Sequence, residues 1–264
     1  MKRLTLFFLL VAAGNGAACA TAADLVPGAI YAYTARDGVS LTGSDKDTQD
    51  KPLKQGTVFT ATGQLLNAPN GLAVALVLSN GNALYLPNGG RLTLEEFTQE
   101  GVTNTGVNRE FEPSRSNLHL NLAGGTLAIS GRNPVPTSTF TLTTPLALIS
   151  CHSKSLVVRV DANSVTITVM DGTAEITTSG ASQHDTLQSG QTATISRQDL
   201  HTAYPLKLTS TTTDASEHLG VLLDSAHRIE GYTTFAGPHQ HFQVTLDIPV
   251  DHTMQISADD PRFL

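Results

Sequence analysis

Apolar and polar residues alternate one by one along most of this chain, which sends successive side chains to opposite faces of a β-strand. Such runs occupy Ala29 to Thr34, Gly56 to Thr62, Leu72 to Leu78, Asn82 to Leu86, Leu118 to Leu122, Thr126 to Ser130, Thr139 to Thr143, Leu146 to Ser150, Leu156 to Val160, Val165 to Met170, Ala174 to Thr178 and Gly190 to Ser196. Turn signals separate them at Ser79-Asn80-Gly81, Pro87-Asn88-Gly89-Gly90, Gly124-Gly125, Asp161-Ala162-Asn163 and Asp171-Gly172, and each predicts a reversal of the chain. About a dozen short strands at this spacing predict an all-β fold: a single elongated β-sandwich or roll, or a solenoid, closed by ladder pairing.

Two stretches break the rhythm. Glu95 to Arg115 is polar and interrupted by Gly101, Gly106 and Pro113, so it reads as a long excursion, and a loop of that length in a compact domain is usually either functional or mobile. From Asp199 onward the texture changes to a short mixed C-terminal extension. There Leu219, Leu222, Leu223, Ala226 and Ile229 recur at helical spacing and predict a helix over 217–230, and alternation returns over 241–257 as strands. The expected organisation is therefore a leader over 1–22, an all-β domain over 23–198 and the extension over 199–264.

Composition explains the pattern. The chain has 264 residues, 35 of them Thr and 22 Gly, with 15% charged residues against roughly 25% in an average soluble domain. Thr suits pleated faces and Gly suits turns, whereas long surface helices need the missing Glu, Lys and Arg. The formal net charge of −7 argues against nucleic acid or anionic lipid as partner, because both are bound by neutralising phosphate. Met1-Lys2-Arg3, an apolar run from Leu4 to Ala13 and small residues through Ala23 have the three-part pattern of a secretory signal, with cleavage expected after Ala22. A secreted or periplasmic protein follows, and Cys19 leaves a lipidated form open. Without Cys19, Cys151 is the single remaining thiol, expected as a small buried hydrophobe.

Several features in order resemble the FecR domain, the all-β periplasmic module named for an iron-uptake regulator. They are Gly56 and Thr60-Ala61-Thr62-Gly63 before a strand pair; Leu76-Val77-Leu78-Ser79-Asn80-Gly81 leading to Leu84-Tyr85-Leu86-Pro87-Asn88; Leu122 with Gly124-Gly125-Thr126-Leu127; Phe140-Thr141-Leu142-Thr143-Thr144-Pro145; Val169-Met170-Asp171-Gly172; and Leu187-Gln188-Ser189-Gly190-Gln191. The polar insert from Phe97 to Ser114 is similar to one carried by a subgroup of secreted FecR-like proteins. His152-Ser153-Lys154 stands where the family has an Arg-Gly-Thr turn, so that turn is expected in another conformation. The family's regulators also carry an anti-sigma segment and a transmembrane helix ahead of the domain, and Met1 to Gly28 leaves no room for them. The resemblance implies a non-enzymatic recognition or scaffold module of the cell envelope, in ligand sensing or signal relay, with a protein or surface ligand as partner. Glu95 to Arg115 is its first candidate contact surface.

The residues for chemistry are sparse. No Gly-x-Ser-x-Gly elbow, zinc-protease helix motif or phosphate-cradling glycine loop occurs. Glu95-Glu96 and Asp259-Asp260 are adjacent carboxylates, expected to face opposite ways on a strand or to lie at a free end, and Asp45 and Asp47 begin a calcium-like spacing that lacks its Gly and distal Glu. Tyr31 and Tyr33 share a strand face as binding patch or core. Six of nine His lie in the last quarter, and His239 and His241 share one strand face, so the alternative function is a His-rich metal-dependent binder or hydrolase built on the C-terminal extension. No catalytic, cofactor or metal residue is assigned.

Overall fold

The computed structural model describes residues 25–43, 50–61, 63–101, 110–179, 184–202, 206–231, 233–236 and 243–246. Nine strands precede the first long span: β1 (Val26–Pro27), β2 (Ala29–Ala35), β3 (Ser40–Thr42), β4 (Lys51–Pro52), β5 (Val58–Thr60), β6 (Gln64–Ala68), β7 (Val74–Leu78), β8 (Ala83–Leu86) and β9 (Gly90–Gln99). Then follow β10 (Ser116–Ser130), β11 (Thr139–Thr143), β12 (Ala147–Val160), β13 (Ser164–Thr178), β14 (His184–Gln188), β15 (Gln191–Ser196), β16 (Leu206–Ser210), helix α1 (Thr213–Gly231), and the hairpin β17 (Thr233–Ala236) with β18 (Gln243–Leu246). Among the described residues the fold is all-β with one helix. The first sixteen strands form a single mixed sheet.

That sheet doubles over into two layers because three long strands change partners halfway along. Asn117 to Asn121 of β10 lies between β9 and β11, whereas Ala128 to Ser130 lies between β8 and β12. Likewise β12 pairs with β11 through Leu148 to Ser150 and with β10 through Ser155 to Val160. The N-terminal half of β13 pairs with β15 and its C-terminal half with β14. One layer therefore runs β4-β3-β6-β9-β10-β11-β12-β13-β14, and the other β5-β2-β7-β8-β10-β12-β13-β15-β16. The main hydrophobic core fills the space between them.

Each of these three strands changes which parity of residue points inward where it crosses, at a shift of register against its partner. β10 buries Leu118, Leu120 and Leu122, then Leu127 and Ile129; β12 buries Ala147, Ile149 and Cys151, then Leu156 and Val158; β13 buries Val165, Ile167 and Val169, then Ala174 and Ile176. The switch falls at Gly124-Gly125, at a register shift around Ser153 to Ser155, and at Asp171-Gly172. These sites read in the sequence as chain reversals, and the structure corrects them: the strands run straight through, and the glycines bend them from one layer to the next. His152-Ser153-Lys154 is likewise no turn. The conformational demand there falls on Gly172 of the opposite strand, at φ +100°, where a Cβ would lie 2.5 Å from Ser153 Cα.

The excursion shrinks for a related reason. In β9 a bulge at Glu95 shifts the phase, so Leu92 and Leu94 face inward before it and Phe97 and Gln99 after it. The alternation breaks in the sequence while the strand continues, pairing Glu96 with His119 and Gln99 with Ser116. β9 and β10 thus stay paired as far as Gln99 and Ser116, and residues 102–109 between them fall outside the described residues.

The second layer is covered on its outer face by α1. Tyr31, Tyr33, Ala75, Val77, Ala83, Tyr85, Ala128 and Val157 meet Leu223, Ala226 and Ile229 of the helix, with Phe235 closing the end. The alanines leave a shallow channel in which a helix can approach the strands closely. β7 and β8 are consequently buried on both faces, which accounts for the unbroken apolar run Ala73 to Leu78. Thr212 caps the helix, its hydroxyl accepting from Ala215 N–H at 3.3 Å.

The corner glycines are open to test by urea unfolding. Gly172→Ala is expected to cost about 3 kcal/mol, because strain at positive φ adds to the clash with β12. Gly190→Ala, also at positive φ but in open space, is expected to cost about 1 kcal/mol. Equal losses would contradict the crossing geometry.

Candidate functional site

α1 lies along the second layer with its two ends in different surroundings. At its N-terminal half, Ala215, His218, Leu219 and Leu222 roof a cleft of about 1070 Å³ over the outer face of the sheet. Val157, Thr166, Thr168 and Thr192 form the floor, and Asn67 to Gly71, Pro87 to Gly90 and Gly124 to Thr126 form the wall, which is bare main chain at Gly89-Gly90 and Gly124-Gly125. The wall is bare because strands pass one another at backbone contact: a Cβ on Gly125 would lie 2.8 Å from the Gly89 carbonyl oxygen, and one on Gly89 would lie 2.2 Å from that of Pro69. Arg91, Arg159 and Asp161 complete the lining. Arg159 Nε donates to Asp161 Oδ1 at 3.1 Å on an exposed rim. On the floor the Thr168 and Thr192 hydroxyls are 3.0 Å apart, and Thr192 and Thr211 are 3.0 Å apart.

At the other end the helix is fixed by charge. Glu230 Oε1 accepts from Arg132 at 2.9 Å (Nε) and 2.5 Å (Nη2), and both side chains are almost fully enclosed. Beside this pair, Glu112 gathers the hairpin ends: Oε1 accepts from Asn80 Nδ2 and Ser116 Oγ, each at 3.2 Å, and Oε2 from Ser138 Oγ at 2.6 Å and Val135 N–H at 3.4 Å. Burial pushes the Glu112 carboxyl above its usual range, against those hydrogen bonds and the nearby Arg132 charge, which pull it down. Ser79 donates to Gln99 in the same cluster and accepts from Ala29 N–H at 3.0 Å. This end is a clamp of fully engaged polar groups, whereas the cleft end is open.

The residues singled out in the sequence scatter. Tyr31 and Tyr33 lie in the core beneath α1, edge to face at 6.4 Å, rather than on a binding surface. Cys151 is buried in the main core, and burial pushes its thiol upward, away from the thiolate a nucleophile needs. The bulge places Glu95 and Glu96 toward the same outer face instead of opposite ones: Glu95 accepts from Asn121 Nδ2 at 3.2 Å, and Glu96 lies 3.7 Å from His119 Nδ1. Cys19, Asp45, Asp47, His239, His241, His252, Asp259 and Asp260 lie outside the described residues. Of the remaining C-terminal histidines, His218 lines the cleft, while His201 and His227 are exposed elsewhere. Among the described residues no three His, Cys, Asp or Glu side chains come together to hold a metal, and no helix is long and apolar enough to cross a membrane. The cleft itself escapes sequence reasoning, because its parts come from six separated stretches, although Gly89-Gly90 and Gly124-Gly125 mark its wall.

No family model matches the chain, and no curated protein does. Two crystal structures of a "putative anti-sigma factor" from Parabacteroides distasonis ATCC 8503 are similar to it, at 11% identity with TM-scores of 0.42 and 0.41. Each match covers 57% of this chain and 61% of the other, so the chain spans about three fifths of the length of these neighbours.

Two measurements test the clamp. Arg132→Met leaves a buried carboxylate on Glu230 and is expected to cost about 3–5 kcal/mol in urea unfolding, with most of the loss recovered in the Arg132→Met, Glu230→Met double variant. For Glu112, a folded-state pKa above the unfolded one means that the neutral carboxyl favours folding. Its contribution to stability is thus greatest at acid pH and is lost as pH rises through the raised value. The difference in unfolding free energy between the parent chain and Glu112→Gln should therefore change with pH between neutrality and mild acid, in the direction that favours the parent at the lower pH.

Proposed function

We propose that this chain is a FecR-like, non-enzymatic recognition module that works outside the cytoplasm, secreted or in the periplasm, and binds a protein or envelope ligand in the cleft beneath α1. The observation that carries this reading is the chemistry of the cleft lining. Bare glycine main chain, asparagine and threonine side chains and an arginine pair suit the grip of a ligand, and the lining residues include no Ser or Cys. The leader pattern of Met1 to Ala22 supports the compartment. The ordered FecR-like features support the class: Asn80-Gly81 joins β7 to β8, Thr144 closes the β11–β12 turn by accepting from Ala147 N–H at 3.0 Å, and Gly190 turns β14 into β15. A signal-relay role follows if ligand binding shifts the one helix that touches both the cleft and the clamp.

Filling the cleft tests the reading. Ala215 is exposed on the roof, so Ala215→Trp should leave the unfolding midpoint within about 0.5 kcal/mol of the parent. The same variant is expected to lose the partner that the immobilised parent chain captures from an envelope extract. Undiminished capture by the variant rejects the cleft as the site, and deletion of 102–109 in parallel tests the hairpin tip as the alternative contact.

A further inference from the structure

The charge of the cleft runs against the charge of the chain. The protein is acidic at a formal −7, yet Arg91, Arg159 and His218 line the cleft with Asp161 as the single carboxylate. Asp161 engages Arg159 through Nε, so the Nη edge of the guanidinium, which matches a carboxylate in two parallel hydrogen bonds, is left to a ligand. Arg91 stands opposite Gly124 on one side of β10, and Arg159 stands opposite Thr126 on the other. Strands flanking a common neighbour lie about 10 Å apart, so the two guanidinium groups bracket the bare main chain of Gly124-Gly125. Along the roof Leu219 and Leu222 offer apolar contact, and none of the lining residues is the Phe, Tyr or Trp on which a sugar ring usually stacks.

We propose that the cleft takes an extended acidic peptide segment, with carboxylate side chains held by Arg91 and Arg159 and apolar side chains against Leu219 and Leu222. The inference rests on the reading of the chain as a recognition module and names the chemistry of its ligand. An acidic segment is the complement of a local basic site. The acidic remainder of the surface repels such a segment elsewhere and so confines it to this cleft.

Fluorescence anisotropy with the full chain tests it, using a labelled decapeptide that alternates Glu with Leu, the same peptide with Gln for Glu, and an oligogalacturonate as a non-peptide carboxylate. The Glu peptide is expected to bind and to weaken as salt is raised, and the Gln peptide to bind at least about tenfold more weakly. Arg91→Gln and Arg159→Gln, both at exposed positions, should each weaken the Glu peptide about tenfold while leaving urea unfolding unchanged. Equal affinity for the Glu and Gln peptides, or undiminished binding by the Arg91→Gln, Arg159→Gln double variant, overturns the inference. Binding of the oligogalacturonate in place of the peptide does so too, by assigning the arginines to an acidic sugar. If the Glu peptide fails while Ala215→Trp still abolishes partner capture, the recognition module stands and only the acidic ligand falls. If capture also survives that substitution, both fall.

Discussion

The architecture depends on one steric constraint: a strand that passes from one layer of a sandwich to the other must keep its aliphatic side chains facing the shared core. In β10, β12 and β13 this is met by a one-residue change of phase at the bend, with Leu122 giving way to Leu127, Cys151 to Leu156, and Val169 to Ala174. The bends of β10 and β13 lie where side chains cannot be accommodated, at Gly125, which backs onto Gly89, and at Gly172, which backs onto Ser153 at the bend of β12. Without those crossings the sheet would remain open, and its inner face could not enclose a core in which most residues have no exposure at all.

The crossings also create the cleft. Where β10 bends at Gly124-Gly125 and β9 begins at Gly90, two stretches of bare backbone meet, and the sheet surface beyond them carries Thr166, Thr168 and Thr192 beside Val157. The helix is wide enough to seal the alanine channel over β7, β8 and β10 but extends past it at the N-terminal end. Half of α1 is therefore core and half is roof. The buried Arg132–Glu230 pair sets which half is which, since it ties the C-terminal end to the loop after β10. A buried pair of this kind adds little net stability over an apolar contact, but it penalises any shift of the helix that separates the charges.

Glu112 extends the same logic to the hairpin that the sequence presents as an excursion. Its carboxyl collects donors from the β7–β8 turn, from the start of β10 and from the segment before β11, so three connections are joined through one buried acid. The polarity of Glu110 to Arg115 is thus partly interior. A polar run in a sequence marks either solvent or an internal network, and the alternation alone does not separate the two.

The local pattern determined the all-β class, the hairpin at Asn80-Gly81 and the helical face of Leu223, Ala226 and Ile229, because each depends on neighbours a few residues away. The phase changes at 122–127, 151–156 and 169–174 are also visible in the sequence, yet a phase change has two physical causes, a reversal and a crossing. Only the pairing of β10, β12 and β13 with distant strands chose the second. The same holds for Tyr31, Tyr33 and Ala75, whose outer face is covered only by the distant helix of Leu223, Ala226 and Ile229. The cleft, the buried ion pair and the Glu112 network were decided by tertiary structure, since each joins groups that are far apart along the chain, and only the glycine pairs of the cleft wall stand out locally.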